Sequence, residues 1–104
     1  MITMYLILNF MEETNNMFLK LDGNEMMTKE LFHEYFKKNL KLPNYYGKNL
    51  DALWDLLSTY SETLNITLFN KDQLFKHLGE YGFSIIELLE DVAKENKNVN
   101  FDIK

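Results

Sequence analysis

The alternation of apolar and polar residues along the chain predicts four short β-strands. The predicted strands are residues 1–11, residues 17–21, Leu64–Phe69 and Val99–Ile103. In the first, every second residue from Ile2 to Phe10 is apolar, so one face of that strand would be wholly apolar. The third reads Leu-Asn-Ile-Thr-Leu-Phe, which alternates regularly and is rich in strand-forming residues.

Four helices are predicted from capping residues followed by apolar stripes. Their predicted starts are Thr28, Asn49, Asn70 and Ser84. The side-chain oxygen of each can accept a hydrogen bond from a free N–H group of the first helical turn, and Ser84 with Glu87 has the form of a capping box. Pro43 is predicted to end the first helical region, and Gly79 and Gly82 to close the third. The apolar stripe of the first helix consists of Leu31, Phe32, Tyr35, Phe36 and Leu40.

Strands that alternate with helices predict an α/β fold. Right-handed crossovers would give a small, mostly parallel sheet with about four helices packed on it. Only five residues connect the first strand to the second, so the first is predicted to pair antiparallel as a hairpin at the sheet edge. No repeat or linker interrupts the chain. We therefore predict one domain over residues 1–104, in which residues 1–16 add an edge strand and a turn.

The composition limits the possible classes of protein. A chain of 104 residues that is 46% apolar and 14% aromatic is large enough for a core and too apolar to be disordered. Because it has no cysteine, its stability cannot depend on disulfides, and a cytoplasmic location is expected. Residues 1–11 lack the basic stretch and the cleavage site of a targeting signal and are too short to span a bilayer.

The net charge of −5 is concentrated in two predicted helical segments. Residues 44–62 carry one lysine against three acidic residues, a net charge of −2, and residues 84–96 carry one lysine against four, a net charge of −3. Such acidic surfaces repel nucleic acids and membranes and attract basic proteins, although most serve only solubility. If these surfaces bind a partner, the charge favours a basic protein over a nucleic acid or a membrane.

The second predicted helix, residues 49–60, separates into an apolar face and an acidic face. At about 100° per residue, one arc is apolar. It holds Leu50, Leu53, Leu56, Leu57 and Tyr60. Asp51, Asp55 and Ser58 lie together on the opposite side, with no lysine or arginine in the helix to compensate them. Trp54 lies at the border, where an indole can be half buried and half offered to a partner.

The two aspartates admit a structural and a functional interpretation. Asp51 lies in the first turn after Asn49, where the helix dipole favours a carboxylate without any function. Asp55 lies one turn further on, and two like charges at this spacing cost roughly a few tenths of a kcal/mol. An uncompensated cost on an exposed face points towards a partner.

Other polar candidates are weaker. His33 and His77 are isolated, so each is expected at the surface or at the edge of the core, and no metal-ligand spacing occurs. No Ser-His-Asp set can be assembled, and the glycines lack the context for phosphate binding. The sequence therefore predicts no metal, no cofactor and no small-molecule substrate.

Residues 42–57 carry the most specific pattern in the chain. They read Leu-Pro-Asn-Tyr-Tyr-Gly-Lys-Asn-Leu-Asp-Ala-Leu-Trp-Asp-Leu-Leu and contain the only proline and the only tryptophan. This run closely resembles the signature of the barstar family, small intracellular proteins that block barnase-type ribonucleases. A looser resemblance extends from about Met17 to the C-terminus, and residues 1–16 fall outside it. The resemblance implies a three-stranded parallel sheet covered by helices.

The resemblance also implies that nine residues contact a basic, secreted ribonuclease in a 1:1 complex. They are Tyr45, Gly47, Asn49, Asp51, Trp54, Asp55, Ser58, Tyr60 and Asp91. Asp55 would take the place of an RNA phosphate, and Asp51 would pair with a basic residue beside it. Tyr45 would pack near the catalytic histidine of the enzyme.

The remaining residues have supporting roles in the resemblance. Gly47 and Asn49 would bring the backbone of the loop close to the enzyme, and Trp54 and Ser58 would border the contact. Asp91 is placed by allowing a one-residue deletion in the preceding loop, so Glu90 stays an alternative.

Some positions depart from the usual pattern of the family. Ser58 and Asp91 are shorter or smaller than the usual polar contacts. The usually aromatic position on the edge of the interface is occupied by Tyr60. Lys48 puts a positive charge in the recognition loop, which is expected to work against a strongly basic cleft. These departures imply a cognate ribonuclease particular to this chain.

Three functional hypotheses follow. The leading one is an inhibitor or immunity protein for a basic ribonuclease. The second is an interaction or regulatory module of the same fold that has lost its nuclease. The weakest is an enzyme that uses Asp51 and Asp55 as an acid/base pair, because such a pair needs a cleft and separated pKa values, whereas these residues are predicted on a convex helix.

Overall fold

The computed structural model describes residues 16–104, and it contains a three-stranded sheet and four helices within that range. In chain order the elements are β1 (Met17–Asp22), α1 (Lys29–Asn39), α2 (Leu50–Ser58), β2 (Leu64–Phe69), α3 (Lys71–Leu78), α4 (Glu80–Glu95) and β3 (Val99–Ile103). The strand predicted over residues 1–11, and its hairpin with the next strand, lie outside the described residues.

The three strands pair in parallel in the order β1-β2-β3. Met17 is opposite Leu64, and Leu64 is opposite Val99, so the three strands begin side by side. Each parallel pair requires a crossover, which α1 and α2 supply between β1 and β2, and α3 and α4 supply between β2 and β3. The predicted α/β fold with a three-stranded parallel sheet and four helices is confirmed.

The core lies between the helices and one face of this sheet. Alternate strand residues such as Leu19, Ile66 and Val99 are buried, whereas Phe18 and Lys20 on the other face of β1 are exposed. The helices add their own buried residues to the same cluster. These are Phe32 and Phe36 of α1, Leu53 and Leu57 of α2, Leu74 of α3, and Ile85, Ile86, Leu89 and Val92 of α4. Leu31, predicted in the stripe of α1, is instead 48% exposed.

The boundary between α3 and α4 differs from the sequence prediction. Gly79 ends α3 with a φ of 57°, but α4 begins at once with Glu80, so Ser84 is inside the helix and does not cap it. Gly82 is also inside α4 and does not close α3. A Cβ atom there would lie 3.2 Å from the carbonyl oxygen of Leu74. The close packing of α4 on α3 therefore accounts for this glycine.

Asn70 precedes α3 but does not cap it with its side chain. Its backbone is left-handed, with φ 56° and ψ 50°, and its Nδ2 donates a 2.8 Å hydrogen bond to the Asp22 carboxylate at the end of β1. Together with the backbone N–H of Asn24, this bond lowers the pKa of Asp22. Asn70 thus joins the start of α3 to the end of β1. The predicted caps Thr28 and Asn49 are confirmed.

Candidate protein-binding surface

The loop before α2 is fixed by hydrogen bonds at both of its ends. The Tyr46 N–H group donates to the carbonyl of Pro43 at 3.0 Å. Asn49 accepts a 2.8 Å hydrogen bond from the Ala52 N–H group and donates one of 3.3 Å to the Gly47 carbonyl. Asn49 therefore caps α2 and holds the recognition loop, residues 43–49, against the start of the helix.

Asp51 and Asp55 are both exposed on α2. Neither takes part in the two ion pairs of residues 16–104, which join Lys48 to Glu34 and Lys104 to Asp102. The hydroxyl groups of Ser58 and Thr59 donate hydrogen bonds to the backbone carbonyl of Asp55, at 3.4 and 2.8 Å. The carboxylate of Asp55 makes no hydrogen bond or ion pair within residues 16–104. The predicted acidic face of α2 is thus present and uncompensated.

A surface cleft of about 310 Å³ separates the recognition loop from α2. It is lined by Pro43, Tyr45, Tyr46 and Gly47 of the loop and by Ala52, Asp55 and Leu56 of α2. Tyr45 is 88% exposed at its edge. The cleft therefore offers apolar and aromatic walls, and Asp55 is one of its lining residues. Such a site suits a flat side chain with a positively charged end.

The other predicted contact residues lie on α2, just after it, and on α4. Trp54 and Tyr60 are half-buried and pack against the core, as the helical spacing predicted for Trp54. Asp91 is exposed on α4, which packs against α2. Glu90 lines a different cleft together with Phe101 and Asp102 of β3.

A comparison with protein families identifies the relatives of this chain. The family model for Barstar (barnase inhibitor) matches residues 16–104. The chain belongs to the barstar family. A Bacillus subtilis (strain 168) protein named "Putative ribonuclease inhibitor YrdF" is 36% identical over 80 residues, which cover 75% of this chain and 87% of that protein. The resemblance found in residues 42–57, and its extension to the C-terminus, are confirmed.

The recognition loop is bonded to a buried histidine whose role the sequence did not predict. His33 of α1 is 1% exposed, so of the two predicted positions the one at the surface is wrong. Its Nδ1 lies 2.6 Å from the hydroxyl oxygen of Tyr46 in the loop, and its Nε2 lies 2.6 Å from that of Tyr81 in α4. A neutral imidazole can donate one of these bonds and accept the other. One buried ring therefore ties the loop to two helices.

Burial changes the protonation of this group. It lowers the pKa of His33, while the charge of Glu30 acts in the opposite direction and that of Lys48 adds to the lowering. Burial also raises the pKa of Tyr46, so both groups stay neutral near pH 7. Protonation of His33 would bury a charge and leave one tyrosine hydroxyl without its acceptor.

We expect the free energy of unfolding to fall as the pH drops below about 6.5, the ordinary histidine pKa. The folded state binds the proton of His33 less well than the unfolded state, so the stabilisation is present above that pH and is lost as pH falls towards the lowered pKa. The loss between pH 7.5 and 5.5 should reach up to about 1.4 kcal/mol. Urea denaturation at both pH values measures it.

The second histidine provides a matched control for that measurement. His77→Gln should keep the pH dependence, whereas His33→Leu should lack most of it, whatever its stability at pH 7.5. An equal pH dependence in the His33→Leu protein would contradict the assignment to His33.

Lys48 does not present a free charge to the surroundings. Its ammonium group pairs with the Glu34 carboxylate of α1, which lowers the pKa of Glu34. Both side chains are roughly half exposed, so the pair adds little stability. The expectation that Lys48 opposes a basic cleft is therefore weakened, because Glu34 offsets its charge.

Two more residues behind this barstar-family surface were missed in the sequence. Asn96 and Asn98 follow α4 and donate side-chain hydrogen bonds to carbonyl groups at the end of α2. The only sequence signal was an Asn-Lys-Asn run after a helical stripe, which also fits an ordinary helix end.

Within residues 16–104 no group of three or more His, Asp or Glu side chains could hold a metal ion. No helix of that range is long and apolar enough to cross a membrane.

Proposed function

We propose that this protein inhibits a basic, secreted ribonuclease of the barnase type by covering the active site of the enzyme. The observation that carries the proposal is the free carboxylate of Asp55, exposed on α2 beside an apolar cleft. A carboxylate held without an intramolecular counter-ion can pair with cationic side chains at little cost in lost contacts. Membership of the barstar family supports a ribonuclease as the source of those cations.

In this proposal the two aspartates act on different basic groups. Asp55 occupies the position of an RNA phosphate among the cationic side chains of the enzyme. Asp51, one turn nearer the start of α2, pairs with a neighbouring basic residue. Tyr45 packs on the region of the catalytic histidine, which fits its 88% exposure at the edge of the cleft. An imidazole could lie between this tyrosine and the carboxylate of Asp55.

The flanking residues complete the contact. Gly47 is exposed and has no side chain to keep the enzyme away from the loop backbone, and Asn49 holds that backbone in place. Trp54, Ser58 and Tyr60 border the contact along α2. For the contact from α4 we favour Asp91, because Glu90 is among the residues that line the cleft beside β3.

In this proposal the protein acts in the cytoplasm as a 1:1 inhibitor and catalyses no reaction. Asp55 is among the residues that line the cleft beside α2, and Asp51 is not. An acid/base pair would need both carboxylates in one site. The acidic surface also disfavours nucleic acid as a direct partner.

An inhibition titration tests the proposal. Purified protein is added to a barnase-type ribonuclease, preferably one encoded beside it, while cleavage of an RNA substrate is followed. We expect activity to fall linearly and to reach zero at one equivalent. Unchanged activity with the neighbouring nuclease would remove the inhibitor proposal and favour an interaction module on the same fold. Pull-down from the native cytoplasm would then identify the partner.

A further inference from the structure

The end of α2 is held by a side chain that comes from the end of α4. Asn96 is the residue immediately after α4 and is 8% exposed. Its Nδ2 donates hydrogen bonds of 2.9 Å to the carbonyl of Leu57 and of 2.9 Å to the carbonyl of Tyr60. Its Oδ1 accepts a 3.0 Å hydrogen bond from the N–H group of Asn98. Both N–H groups and the oxygen of this buried amide are therefore engaged.

Asn98 strengthens the same junction. Its Nδ2 donates a 3.2 Å hydrogen bond to the Tyr60 carbonyl, so this carbonyl accepts from two asparagine side chains. The backbone carbonyl of Asn98 in turn accepts from the N–H group of Leu64 at the start of β2. The connection from α4 to β3 thus fixes both the last turn of α2 and the backbone of Tyr60.

The side chain of Asn96 adds to the local bonds at the C-terminal end of α2, where the Thr59 and Tyr60 N–H groups donate to the Leu57 carbonyl. The last carbonyl groups of a helix have no partner within the helix, and α2 has no basic residue in its last turn. A nine-residue helix is also too short to be stable by itself. Leu53 and Leu57 pack one face of α2 into the core, and Asn49 and Asn96 hold its two ends.

The residues joined in this way belong to the two halves of the proposed contact surface. α2 carries Asp55, and α4 carries Asp91, which is five residues before Asn96 and about 7.5 Å from it along the helix axis. A hydrogen-bonded charge contact with a rigid enzyme is best formed when its groups are held within about 0.5 Å of the productive geometry. The relative placement of α2 and α4 thus decides whether both carboxylates meet their partners together.

We propose that Asn96 is a positioning residue of the inhibitory surface, which holds α2 against α4 so that Asp55 and Asp91 engage the ribonuclease together. The inference rests on the proposed function. Asn96 itself is buried behind the surface and touches no part of the enzyme. Asn98 assists it by holding Tyr60 at the edge of the contact.

A double-mutant cycle separates positioning from a general loss of stability. Asn96→Asp keeps the size of the side chain but removes both donors and places a negative charge against two carbonyl groups. Asn96→Ala removes the amide, and Asn98→Ala is the milder variant, which loses one bond to Tyr60. Each is combined with Asp91→Ala. Dissociation constants for the barnase-type ribonuclease are measured under conditions in which circular dichroism shows that every variant is folded. If the Asn96 variants do not fold, Asn98→Ala carries the test.

We expect Asn96→Asp to raise Kd by about tenfold. The effect of Asp91→Ala on Kd should be smaller in the Asn96 and Asn98 backgrounds than in the natural protein, because displaced helices no longer engage both carboxylates. The control is an Ile66 variant in the central strand, Ile66→Val or Ile66→Ala, chosen for the same loss in unfolding free energy. Its Kd and its response to Asp91→Ala should be unchanged.

The possible results distinguish this inference from the proposed function. Additive effects on Kd, or an Asn96 variant that binds as well as the Ile66 control, would overturn the positioning role while leaving the inhibitor intact. If the natural protein fails to inhibit, the proposed function fails and the positioning role fails with it. Amide hydrogen exchange in the last turn of α2 would then show whether Asn96 still anchors the helix as a purely structural contact.

Discussion

Replacement of Asp55 by alanine is expected to weaken inhibition more than any other single change in the surface. Truncation of one member of a buried charge pair costs about 2–5 kcal/mol, which corresponds to roughly 30- to 5000-fold in Kd. Much of this cost comes from the cationic groups of the enzyme, which would lie buried without their partner. Inhibition titrations at nanomolar enzyme concentration, or competition binding, measure the change.

The fold should be unaffected by this replacement, because the Asp55 side chain is exposed and makes no hydrogen bond or ion pair within residues 16–104. Asp55→Asn keeps the shape and should lose nearly as much affinity if charge is the cause. Asp72→Ala removes the same charge from α3 and should bind normally. Undiminished affinity in the Asp55→Ala protein would rule out its assignment as the phosphate mimic.

The rate of association with the enzyme is expected to fall by about tenfold or more when the salt concentration rises from about 0.02 to 0.5 M. The protein carries a net charge of −5, and Asp51 and Asp55 are uncompensated on α2. A basic cleft attracts such a surface over distances longer than the contact itself, and salt screens this attraction. Stopped-flow fluorescence of Trp54, which is half-buried on α2, can follow the reaction.

Single charge changes test whether the attraction is local. Asp51→Ala should slow association at low salt and flatten the dependence on salt, whereas Asp72→Ala should do so much less. The dissociation rate should vary little with salt in every variant, since the formed contact excludes solvent. An association rate that is independent of salt would show that the partner is not recognised by its positive charge.

The local features of the surface could be predicted from the sequence because they depend on near neighbours in the chain. The helical spacing of Leu53 and Leu57 fixes which side of α2 is buried, and the opposite side then has to carry Asp51 and Asp55. Asn49 caps the helix three residues before Ala52, which is a contact within one turn. The barstar family could be recognised for the same reason, since its signature lies in one continuous run.

The missed features are contacts between residues that are distant in sequence. His33 bonds to Tyr81 across 48 positions, and Asn96 bonds to the Leu57 carbonyl across 39. These distant contacts leave no trace in the pattern of apolar and polar residues around His33 or Asn96. The sequence therefore gives no reason to predict that either side chain is buried. The start of α4 was misplaced because Ser84 and Glu87 fit a capping box, while the close contact of Gly82 with α3 was invisible in the sequence.

Two adjacent tyrosines of the recognition loop differ sharply in exposure. Tyr46 is 6% exposed and bonded to His33, whereas its neighbour Tyr45 is 88% exposed. A change at Tyr45 would alter what the loop recognises without disturbing the core, while a change at Tyr46 would loosen the support beneath it. If the loop contacts a ribonuclease as proposed, substitutions at exposed positions such as Tyr45 can change its target while the buried support at Tyr46 stays the same.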